Sequence, residues 1–491
     1  MENKEQPRIE ISDVREELIR AIGANKVKDD ERTKVAYATD YRRSIYAKPA
    51  LVVLPECKED VQAILKIADK SRIPITVQAR GNHAQFSVPT ELGIAMDCRR
   101  MNKIHEINTD SGYAVIDVGV TFDQLTSALR EKGYRTHVPT APGGASPVGN
   151  FLLRPSGSLA TRHLDAIQDV EVVIPDGTVF ATGSAAFPGV GSHLRYGPYP
   201  DLAGLITMAY GTMGVVTKAA VKIYPINECS KVAFAAFDNF ASAVDFVKDI
   251  TANNIPEHSI IWFHQLYQLF GCDFTKELPS VLGEDPRQAP EGVPYSVVTV
   301  LLSGYTETVE TNIKVCGKVA EKYGGKGLSE EESTKLMPVA KGGLEELYTN
   351  YHQVEPNFFT LGASPMWLSM SAPEDTKALE KWAVDKVTEL GVRPVCYYTQ
   401  PFDYGRSMMF RIFLFPDPRD KDKLKEISQT FGGMFDEAME KYGAVPMRHS
   451  PLGSHFQKTG GFAEVLTRIK KAIDPNNILN RNIGLFMEDD E

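Results

Sequence analysis

Three short loops rich in glycine and small polar residues could bind the oxygens of a phosphate group. They are Arg80-Gly81-Asn82-His83-Ala84-Gln85, which follows the apolar run PITVQA, then APGGASPVGN at 141–150, and Gly211-Thr212-Met213-Gly214. Glycine leaves backbone N–H groups accessible, and hydroxyl and amide side chains add further donors. A single loop of this kind is more simply explained as a tight turn that needs positive φ. Three of them next to strands predict an extended ligand that carries a diphosphate.

A stretch near the C-terminal end, VPMRHSPLGSHF, contains groups that could bind and deprotonate a small-molecule substrate. Arg448 could hold a carboxylate or phenolate through two parallel hydrogen bonds. His449 or His455 could accept a hydroxyl proton, because imidazole titrates near neutral pH. Structural roles remain open for both residue types, since Arg448 could pair with an acid and His455 could cap a turn.

An aromatic cluster in the second half of the chain suits either a core or the lining of an apolar pocket. Its members are Trp262, Phe263, His264, Tyr267, Tyr397 and Tyr398. For any single member, a core position is the simpler interpretation. Arg406 and Arg411 flank the methionine strand MMFRIFLF and are interpreted as surface charges.

The first loop follows a predicted β-α-β unit. ALVVLPE (50–56) is an apolar strand, and KEDVQAILKIADKS (58–71) has apolar residues at Val61, Ile64, Leu65 and Ala68, which is helical spacing. PITVQA then returns to strand. Because open α/β sheets bind ligands at the carboxyl ends of their strands, the loop from Arg80 to Gln85 lies where a ligand is expected.

The remaining elements suggest two regions. Residues 13–23 predict a helix, residues 90–140 strands and a helix, 165–183 a hairpin with Pro175-Asp176-Gly177 as its turn, and 208–225 a strand. From residue 226 to about 445 the glycine loops disappear and aromatic strands and helices dominate. We therefore predict one domain from residues 1–225 and 446–491 and a second domain from residues 226–445.

Composition excludes several classes of protein. The chain has 491 residues, 43% of them hydrophobic and 24% charged, with a net charge of -10, so we expect a multi-domain globular protein that does not bind nucleic acid. No apolar run reaches the roughly 18 residues of a membrane span, and no apolar signal core precedes the first helix. The six cysteines are scattered without a CxxC pair, which predicts neither a metal site nor a disulfide framework and favours the cytoplasm.

Nicotinamide and mononucleotide motifs are also missing. ALVVLPE leads into its helix without the G-x-G-x-x-G of a nicotinamide-binding Rossmann unit, and no Walker A lysine motif is present. A dinucleotide must therefore be bound by another fold.

The order of motifs resembles the vanillyl-alcohol oxidase / para-cresol methylhydroxylase family of FAD-linked oxidoreductases. The residues that carry the resemblance are ALVVLPECKEDVQAILKIADKSRIPITVQARGNHAQFS, GYAVIDVGVTFDQL, GGASPVGN, VEVVIPDGTVFATG, YGPYPDLAGLITMAYGTMGVVTKAAVKIYP and AIDPNNILN. Each motif is weak alone, but they occur in the family's order and spacing. They cover most of residues 40–225 and the tail, whereas the central region resembles the family only loosely.

The resemblance implies an α+β fold in which a bipartite FAD-binding domain is interrupted by a cap domain of mixed helices and strands. The first two loops would surround the diphosphate of FAD, the third would contact its adenine side, and the flavin would lie at the boundary with the cap. The cofactor-binding residues implied are Arg80, Gly81, Asn82, His83, Ala84, Gln85, Pro142, Gly143, Gly144, Ser146, Gly149, Asn150, Gly211, Gly214, Val215, Val216 and Asn480.

The chain also departs from the family's pattern at several positions. Some members attach FAD covalently to a cap histidine or tyrosine, where this chain has Met408 and Met409, so non-covalent FAD is favoured and a tether through His83 stays open. Phenol-oxidising members have an aspartate where this chain has Ala141, and a tyrosine before the C-terminal arginine where it has Met447. These departures make a phenolic substrate the weaker hypothesis.

The sequence therefore predicts an FAD-dependent dehydrogenase or oxidase that removes a hydride from an alcohol, a 2-hydroxy acid or a benzylic carbon. One alternative is a D-lactate/glycolate-type dehydrogenase that passes electrons to a separate cytochrome or iron–sulfur subunit. Another is a flavin-binding relay or structural subunit without substrate chemistry of its own. A homodimer is an expectation from the family alone.

Overall fold

The computed structural model describes most of the chain. The described residues are 10–39, 46–81, 90–137, 141–154, 161–162, 165–269, 285–337, 365–417, 419–447, 452–483 and 485–486. Fourteen helices of the α type lie within these ranges: α1 Ile11–Ile22, α2 Glu31–Ala36, α3 Lys58–Ser71, α4 Phe122–Arg130, α5 Pro147–Leu152, α6 Leu202–Ile206, α7 Phe240–Ala252, α8 His264–Leu269, α9 Thr306–Lys322, α10 Glu330–Leu336, α11 Pro373–Glu389, α12 Lys421–Tyr442, α13 Leu452–Gln457 and α14 Gly461–Ile473.

A small sheet near the N-terminal end contains the predicted β-α-β unit. Its strands are β1 Val27–Lys28, β2 Leu51–Val53, β3 Ile75–Gln78 and β4 Ile94–Asp97, in the order β1-β2-β4-β3. Strand β4 pairs in parallel with both β2 and β3, and α3 connects β2 to β3. The four apolar residues that predicted α3 are all buried on its inner side. The β-α-β prediction is therefore confirmed, and β3 delivers the first loop at its carboxyl end.

A second sheet packs on the same apolar core as the first. Its strands are β5 Ile104–Asn108, β6 Tyr113–Asp117, β8 Ile167–Val173, β9 Val179–Ala181 and β10 Val215–Lys222. Two further strands, β7 Tyr134–Arg135 and β11 Tyr224–Pro225, form a separate two-stranded ribbon. The order of the main sheet is β5-β6-β10-β8-β9, and it is antiparallel throughout. The predicted hairpin is confirmed: β8 and β9 pair across a turn in which Gly177 has φ 83°.

The central region forms one large antiparallel sheet. Its strands are β12 Cys229–Phe237, β13 His258–Phe263, β14 Ser296–Gly304, β15 Lys326–Leu328, β16 Met366–Ser371, β17 Val395–Phe402, β18 Ser407–Leu414 and β19 Val445–Pro446, in the order β15-β12-β14-β13-β17-β18-β16-β19. Helices α7, α9, α11 and α12 cover one side, which we call face A, and share an apolar core with it. The opposite side, face B, carries a separate apolar cluster that includes Trp262, Tyr398, Met409 and Met447.

Strand alternation divides the aromatic cluster between the two faces, because successive side chains of a strand point to opposite sides. Phe263 and Tyr397 stack on face A with ring centroids 4.1 Å apart. Trp262 and Tyr398, the sequence neighbours of these residues, lie on face B with centroids 5.6 Å apart. The cluster predicted as one unit is therefore half core of the helical layer and half lining of the other side.

A buried ion pair joins the central sheet to the two-stranded ribbon of β7 and β11. Arg135 in β7 donates two hydrogen bonds, of 2.6 and 2.9 Å, to the carboxylate of Glu257, which precedes β13. Burial raises the pKa of Glu257, but the Arg135 guanidinium outweighs that effect and holds the pKa below its usual value. The bidentate pair fixes the start of β13 relative to β7.

The helices of the part of the chain described above include no candidate membrane span. Each of them is too short or too polar to cross a lipid bilayer.

The first prediction concerns acid sensitivity of the central sheet. Burial lowers the pKa of His258, in β13, from 6.5 to about 4, so the folded protein keeps this ring neutral at a pH where the unfolded chain protonates it. Stability is therefore complete above pH 6.5 and decreases as the pH falls towards 4. We expect this histidine to remove about 2 kcal/mol of unfolding free energy at a pH of about 5.

Urea denaturation at several pH values tests this prediction with His258→Asn and, as a control at an exposed histidine, His193→Asn. The His258→Asn protein should lose about 2 kcal/mol less than the wild type over the same range. An equal pH dependence in wild type and His258→Asn would contradict the assignment.

Candidate functional site

The loop that follows β3 contacts the second glycine loop directly. The Nε atom of Arg80 donates a hydrogen bond of 3.3 Å to the carbonyl oxygen of Gly144. At the other end of the second loop, a Cβ added to Gly149 would lie 3.4 Å from the Cβ of Ala79, which is ordinary van der Waals contact. The described start of the first loop therefore lies beside the second loop at the end of β3.

Internal hydrogen bonds hold the second loop in shape. Ser146 caps α5, since its hydroxyl accepts a bond of 3.1 Å from the N–H of Gly149 and donates one of 2.5 Å to the carbonyl of Val118. The N–H of Ala145 bonds back to the carbonyl of Pro142 at 2.9 Å and closes a turn. Four of the six residues predicted in this loop, Pro142, Gly143, Gly144 and Ser146, form that turn and cap, and Gly149 and Asn150 belong to α5.

A carboxylate that the sequence analysis did not single out packs against this loop. A Cβ added to Gly143 would lie 2.1 Å from Oδ1 of Asp123, so no residue larger than glycine fits there without displacing the carboxylate. The N–H of Asp123 also donates to the carbonyl of Gly143 at 3.0 Å. In sequence, Asp123 resembles an ordinary acid of a helix first turn, because it follows the Thr121 cap of α4.

The third loop reaches the same place through the C-terminal tail. The amide of Asn480 donates a hydrogen bond of 2.6 Å to the carbonyl of Tyr210. It accepts a second one, of 2.8 Å, from the N–H of Val77 in β3. A Cβ at Gly211 would lie 2.6 Å from the Nδ2 atom of Asn480, so this approach requires glycine. One side chain thus joins the third loop to the strand that carries the first.

Gly214 directly precedes β10, and Val215 and Val216 form the start of that strand. Gly214 has φ 144°, and a Cβ there would lie 2.4 Å from Cγ1 of Val172. Val215 and Val216 pair with Val173 and Val172 in β8. Their side chains serve the core and the sheet, and only the backbone of this segment is suited to contact a ligand.

A buried ion pair anchors the tail behind the third loop. Lys470 and Asp474 form a salt bridge whose side chains are 3% and 0% exposed. The Lys470 ammonium also donates 2.8 Å to the carbonyl of Thr212, and the Asp474 carboxylate accepts from the N–H groups of Ile478 and Leu479, both at 2.9 Å. Burial lowers the pKa of Lys470, and Asp474 opposes that shift.

The residues present at the meeting point of the loops fit a diphosphate. Gly144 is exposed, and a Cβ added there would meet no atom within 4 Å, so its peptide borders open space next to the Arg80 guanidinium. A cation and an accessible glycine peptide are groups that bind phosphate oxygens.

Several predicted site residues lie outside the described ranges. These are Asn82, His83, Ala84 and Gln85 of the first loop and Arg448 and His449 of the C-terminal stretch. Met447, which precedes Arg448 in sequence, is buried on face B and donates its N–H to the carbonyl of Leu368 at 3.1 Å.

His455 belongs to a different part of the surface from face B. Its Nε2 atom lies 3.3 Å from the carboxylate of Asp436 in α12, and its ring packs at 5.6 Å from Phe435. Phe435 is part of the core under face A. The structure therefore places His455 beside the helical layer, where Asp436 is its acidic neighbour.

The two arginines interpreted as surface charges lie in different environments. Arg406 is exposed and pairs with Asp403 in the turn between β17 and β18, as expected. Arg411 lies on face B of β18, is only partly exposed, and donates a 3.0 Å hydrogen bond to the hydroxyl of Tyr398. The surface interpretation is wrong for Arg411, because strand alternation turns it towards the same face as Met409.

No alternative metal or disulfide chemistry emerges from the described residues. They contain no group of three or more His, Cys, Asp or Glu side chains that could hold a metal ion. The five cysteines within the described ranges are free thiols.

Comparisons with known proteins indicate an FAD-binding domain in the part of the chain that contains the first two loops. Residues 49–183 match a family described as an FAD binding domain. The chain is 25% identical to the glycolate oxidase subunit GlcD of Bacillus subtilis, over 95% of this chain and 96% of that protein. It is 26% identical to the 4-cresol dehydrogenase [hydroxylating] flavoprotein subunit of Pseudomonas putida, over 88% and 87% of the two chains. A crystal structure of p-cresol methylhydroxylase with substrate bound has the same fold, with TM-score 0.84, 22% identity and 98% coverage of both chains.

The second prediction separates ligand binding from folding in the GGASPVGN loop. Because a Cβ added at Gly144 meets no atom within 4 Å, Gly144→Val should fold normally but fill the space beside Arg80. We expect FAD affinity to fall about tenfold or more, which corresponds to about 1.4 kcal/mol. Flavin absorbance per chain after gel filtration measures this loss.

Gly433→Val is the matched control, since a Cβ at that exposed position of α12 also meets nothing within 4 Å. It should keep the full flavin content. Unchanged FAD binding in Gly144→Val would show that the open space beside this peptide is not used by the cofactor.

The third prediction concerns the buried pair in the tail. Asp474→Ala leaves the Lys470 ammonium buried without its counter-charge, so we expect a loss of about 3–5 kcal/mol of unfolding free energy. Lys470→Met should cost less, because Asp474 keeps its two backbone donors. The double variant should be more stable than Asp474→Ala, as urea denaturation can measure. Equal losses in both single variants would contradict a stranded charge as the cause.

Proposed function

Because the chain belongs to the vanillyl-alcohol oxidase / para-cresol methylhydroxylase family of FAD-linked oxidoreductases, we propose that it oxidises a 2-hydroxy acid, an alcohol or a benzylic carbon. FAD, when bound, supplies the hydride acceptor at flavin N5. The similarity to a glycolate oxidase subunit along 95% of the chain carries the choice of a 2-hydroxy acid as the first candidate. The similarity to a 4-cresol dehydrogenase subunit supports benzylic oxidation as the second.

Two positions favour the hydroxy acid over the phenol. Ala141 stands where phenol-oxidising members are expected to have an aspartate, and it is only 8% exposed within the apolar core. Met447 stands where they are expected to have a tyrosine, and its thioether is equally buried. Neither side chain can donate a hydrogen bond to a phenolate oxygen.

We propose that the three loops contact different parts of the cofactor. Arg80 and the peptides from Gly143 to Ser146 would contact the diphosphate, and the backbone from Gly211 to Gly214 would contact the adenine side. The domain that binds FAD would comprise residues 1–225 and 446–491, with residues 226–445 as the cap.

Two details of this proposal depend on residues outside the described ranges. We propose that FAD is non-covalent, because Met408 and Met409 cannot form the cap linkage. Acid precipitation distinguishes this from a tether through His83, since only a covalently held flavin sediments with the protein. Arg448 and His449 are proposed as the substrate clamp and the proton acceptor. His455, the other acceptor predicted from sequence, is not retained, because it lies beside the helical layer next to Asp436.

A separate electron acceptor would complete the cycle. Both relatives are described as subunits, one of them as a flavoprotein subunit, which supports a redox partner on another chain. We propose a cytochrome or an iron–sulfur protein as that partner. Copurification of such a protein from the native source tests the proposal.

The fourth prediction tests the substrate class. The FAD-loaded protein is mixed anaerobically with 2-hydroxy acids, simple alcohols, benzyl alcohols and 4-alkylphenols, and the flavin absorbance is followed. We expect a 2-hydroxy acid to bleach it fastest. Bleaching by alkylphenols alone would favour the second candidate, and a fully loaded flavin that nothing bleaches would contradict substrate oxidation altogether.

The substrate found in this way is then added to Arg448→Ala. Half-maximal bleaching should require at least about tenfold more substrate if the guanidinium holds its anionic group, with unchanged FAD content.

A further inference from the structure

Arg411 lies in a row of side chains that crosses four strands on face B. The strand register places Trp262 opposite Tyr398, Tyr398 opposite Arg411, and Arg411 opposite Leu368. Trp262, Tyr398 and Leu368 are 7%, 4% and 2% exposed. The charged residue is thus the third member of an otherwise aromatic and apolar row, at a position that hairpin geometry fixes.

The contacts of the guanidinium hold it in one orientation. Nη1 donates 3.0 Å to the Tyr398 hydroxyl, and Nη2 lies 2.8 Å from the sulfur of Met366. The guanidinium carbon lies 4.4 Å from the ring centroid of Phe413 and 5.8 Å from that of Tyr398. Stacking on Phe413 is favourable for a delocalised cation, and it restricts the planar group in a way that a lysine ammonium would not experience.

The charge of Arg411 is not neutralised by the residues that surround it in the described part of the chain. None of the ion pairs found there includes Arg411, and its Nε atom is buried without a hydrogen-bond partner in that part. Its acceptors are a neutral phenol and a thioether, which is a weak acceptor. An arginine in apolar surroundings without a carboxylate is costly, and an anionic ligand would offset that cost.

We propose that Arg411 and Tyr398 form a carboxylate-binding subsite on face B, and that the substrate of this enzyme carries a carboxylate. The inference rests on the function proposed above and specifies its substrate class. Each Nη of the guanidinium carries a second N–H, and the two together can bind both oxygens of a carboxylate in its plane. The Tyr398 hydroxyl accepts from Arg411, so its own hydrogen can be donated to the same anion.

The position of Met447 supports this face as the substrate side. Met447 packs on face B and is hydrogen-bonded to Leu368, the residue opposite Arg411. Met447 is also the position at which the sequence resemblance expects a tyrosine in phenol-oxidising members. The apolar neighbours Trp262 and Met409 suit the carbon chain of a small acid and exclude water from the ion pair.

The test uses the FAD-loaded enzyme and oxalate, a dicarboxylate that cannot be dehydrogenated. Oxalate binding is measured from the change of flavin absorbance and from the thermal midpoint. We expect binding to weaken about 30-fold or more in Arg411→Met, because truncating one partner of a desolvated charge pair is strongly unfavourable. Arg411→Lys should bind with intermediate affinity, and Tyr398→Phe should show a smaller loss.

Arg406→Met is the matched control, since Arg406 is exposed on the same hairpin and already paired with Asp403. It should bind oxalate like the wild type. If Arg411→Met does not fold, Arg411→Lys and Tyr398→Phe still report on the guanidinium and on the hydroxyl separately. Oxalate binding that is equal in wild type and in the Arg411 variants, or absent from the wild type, overturns the proposal.

A second measurement separates this proposal from the proposed function. Bleaching by a 2-hydroxy acid with the same half-saturation in wild type and Arg411→Lys would leave the activity standing and overturn the subsite. Oxalate binding that depends on Arg411, in a protein that no hydroxy acid bleaches, would support the anion subsite and overturn the activity.

Discussion

The return of the C-terminal tail to an exposed strand edge is the constraint on which the site depends. Strand β3 is the last strand of its sheet, and an unpaired edge leaves backbone donors and acceptors without partners. The tail supplies them: the N–H of Ile75 bonds to Ile478 at 2.8 Å, and its carbonyl accepts from Asn480 at 2.8 Å. The buried Lys470–Asp474 pair holds the tail in that position. Without the tail, the edge of β3 that precedes the first loop would lack these hydrogen bonds.

The large sheet also shapes the site, because its two faces have different roles. Face A is covered by four helices and serves stability, whereas face B carries the residues proposed to meet the substrate. A shift of one residue in the register of β17 would exchange Tyr398 with Tyr397 on face B. The same shift in β18 would move Arg411 to the helical side. The substrate class proposed here is therefore a consequence of strand register as much as of residue type.

The parts of the site that could be predicted from sequence are those that depend on local chemistry. The β-α-β unit, the hairpin and the three glycine loops were recognisable because helical spacing, turn residues and glycine act over a few neighbours. Asp123, which packs against the second loop, and Arg411, which is proposed to bind a carboxylate, were not recognisable in this way. Asp123 has the signature of an ordinary helix start, and Arg411 follows a polar turn, so the environment of each depends on segments distant in sequence.

The sequence by itself determined which segments are strands, helices and glycine turns, and it narrowed the cofactor to a dinucleotide that is not bound by a nicotinamide-type Rossmann unit. Only the tertiary structure decided which of these segments meet. Val77 and Asn480 are 403 residues apart, yet one hydrogen bond joins them. Local patterns arise from the preferences of adjacent residues, whereas such a contact depends on how complete sheets and helices pack, which no single stretch of sequence encodes.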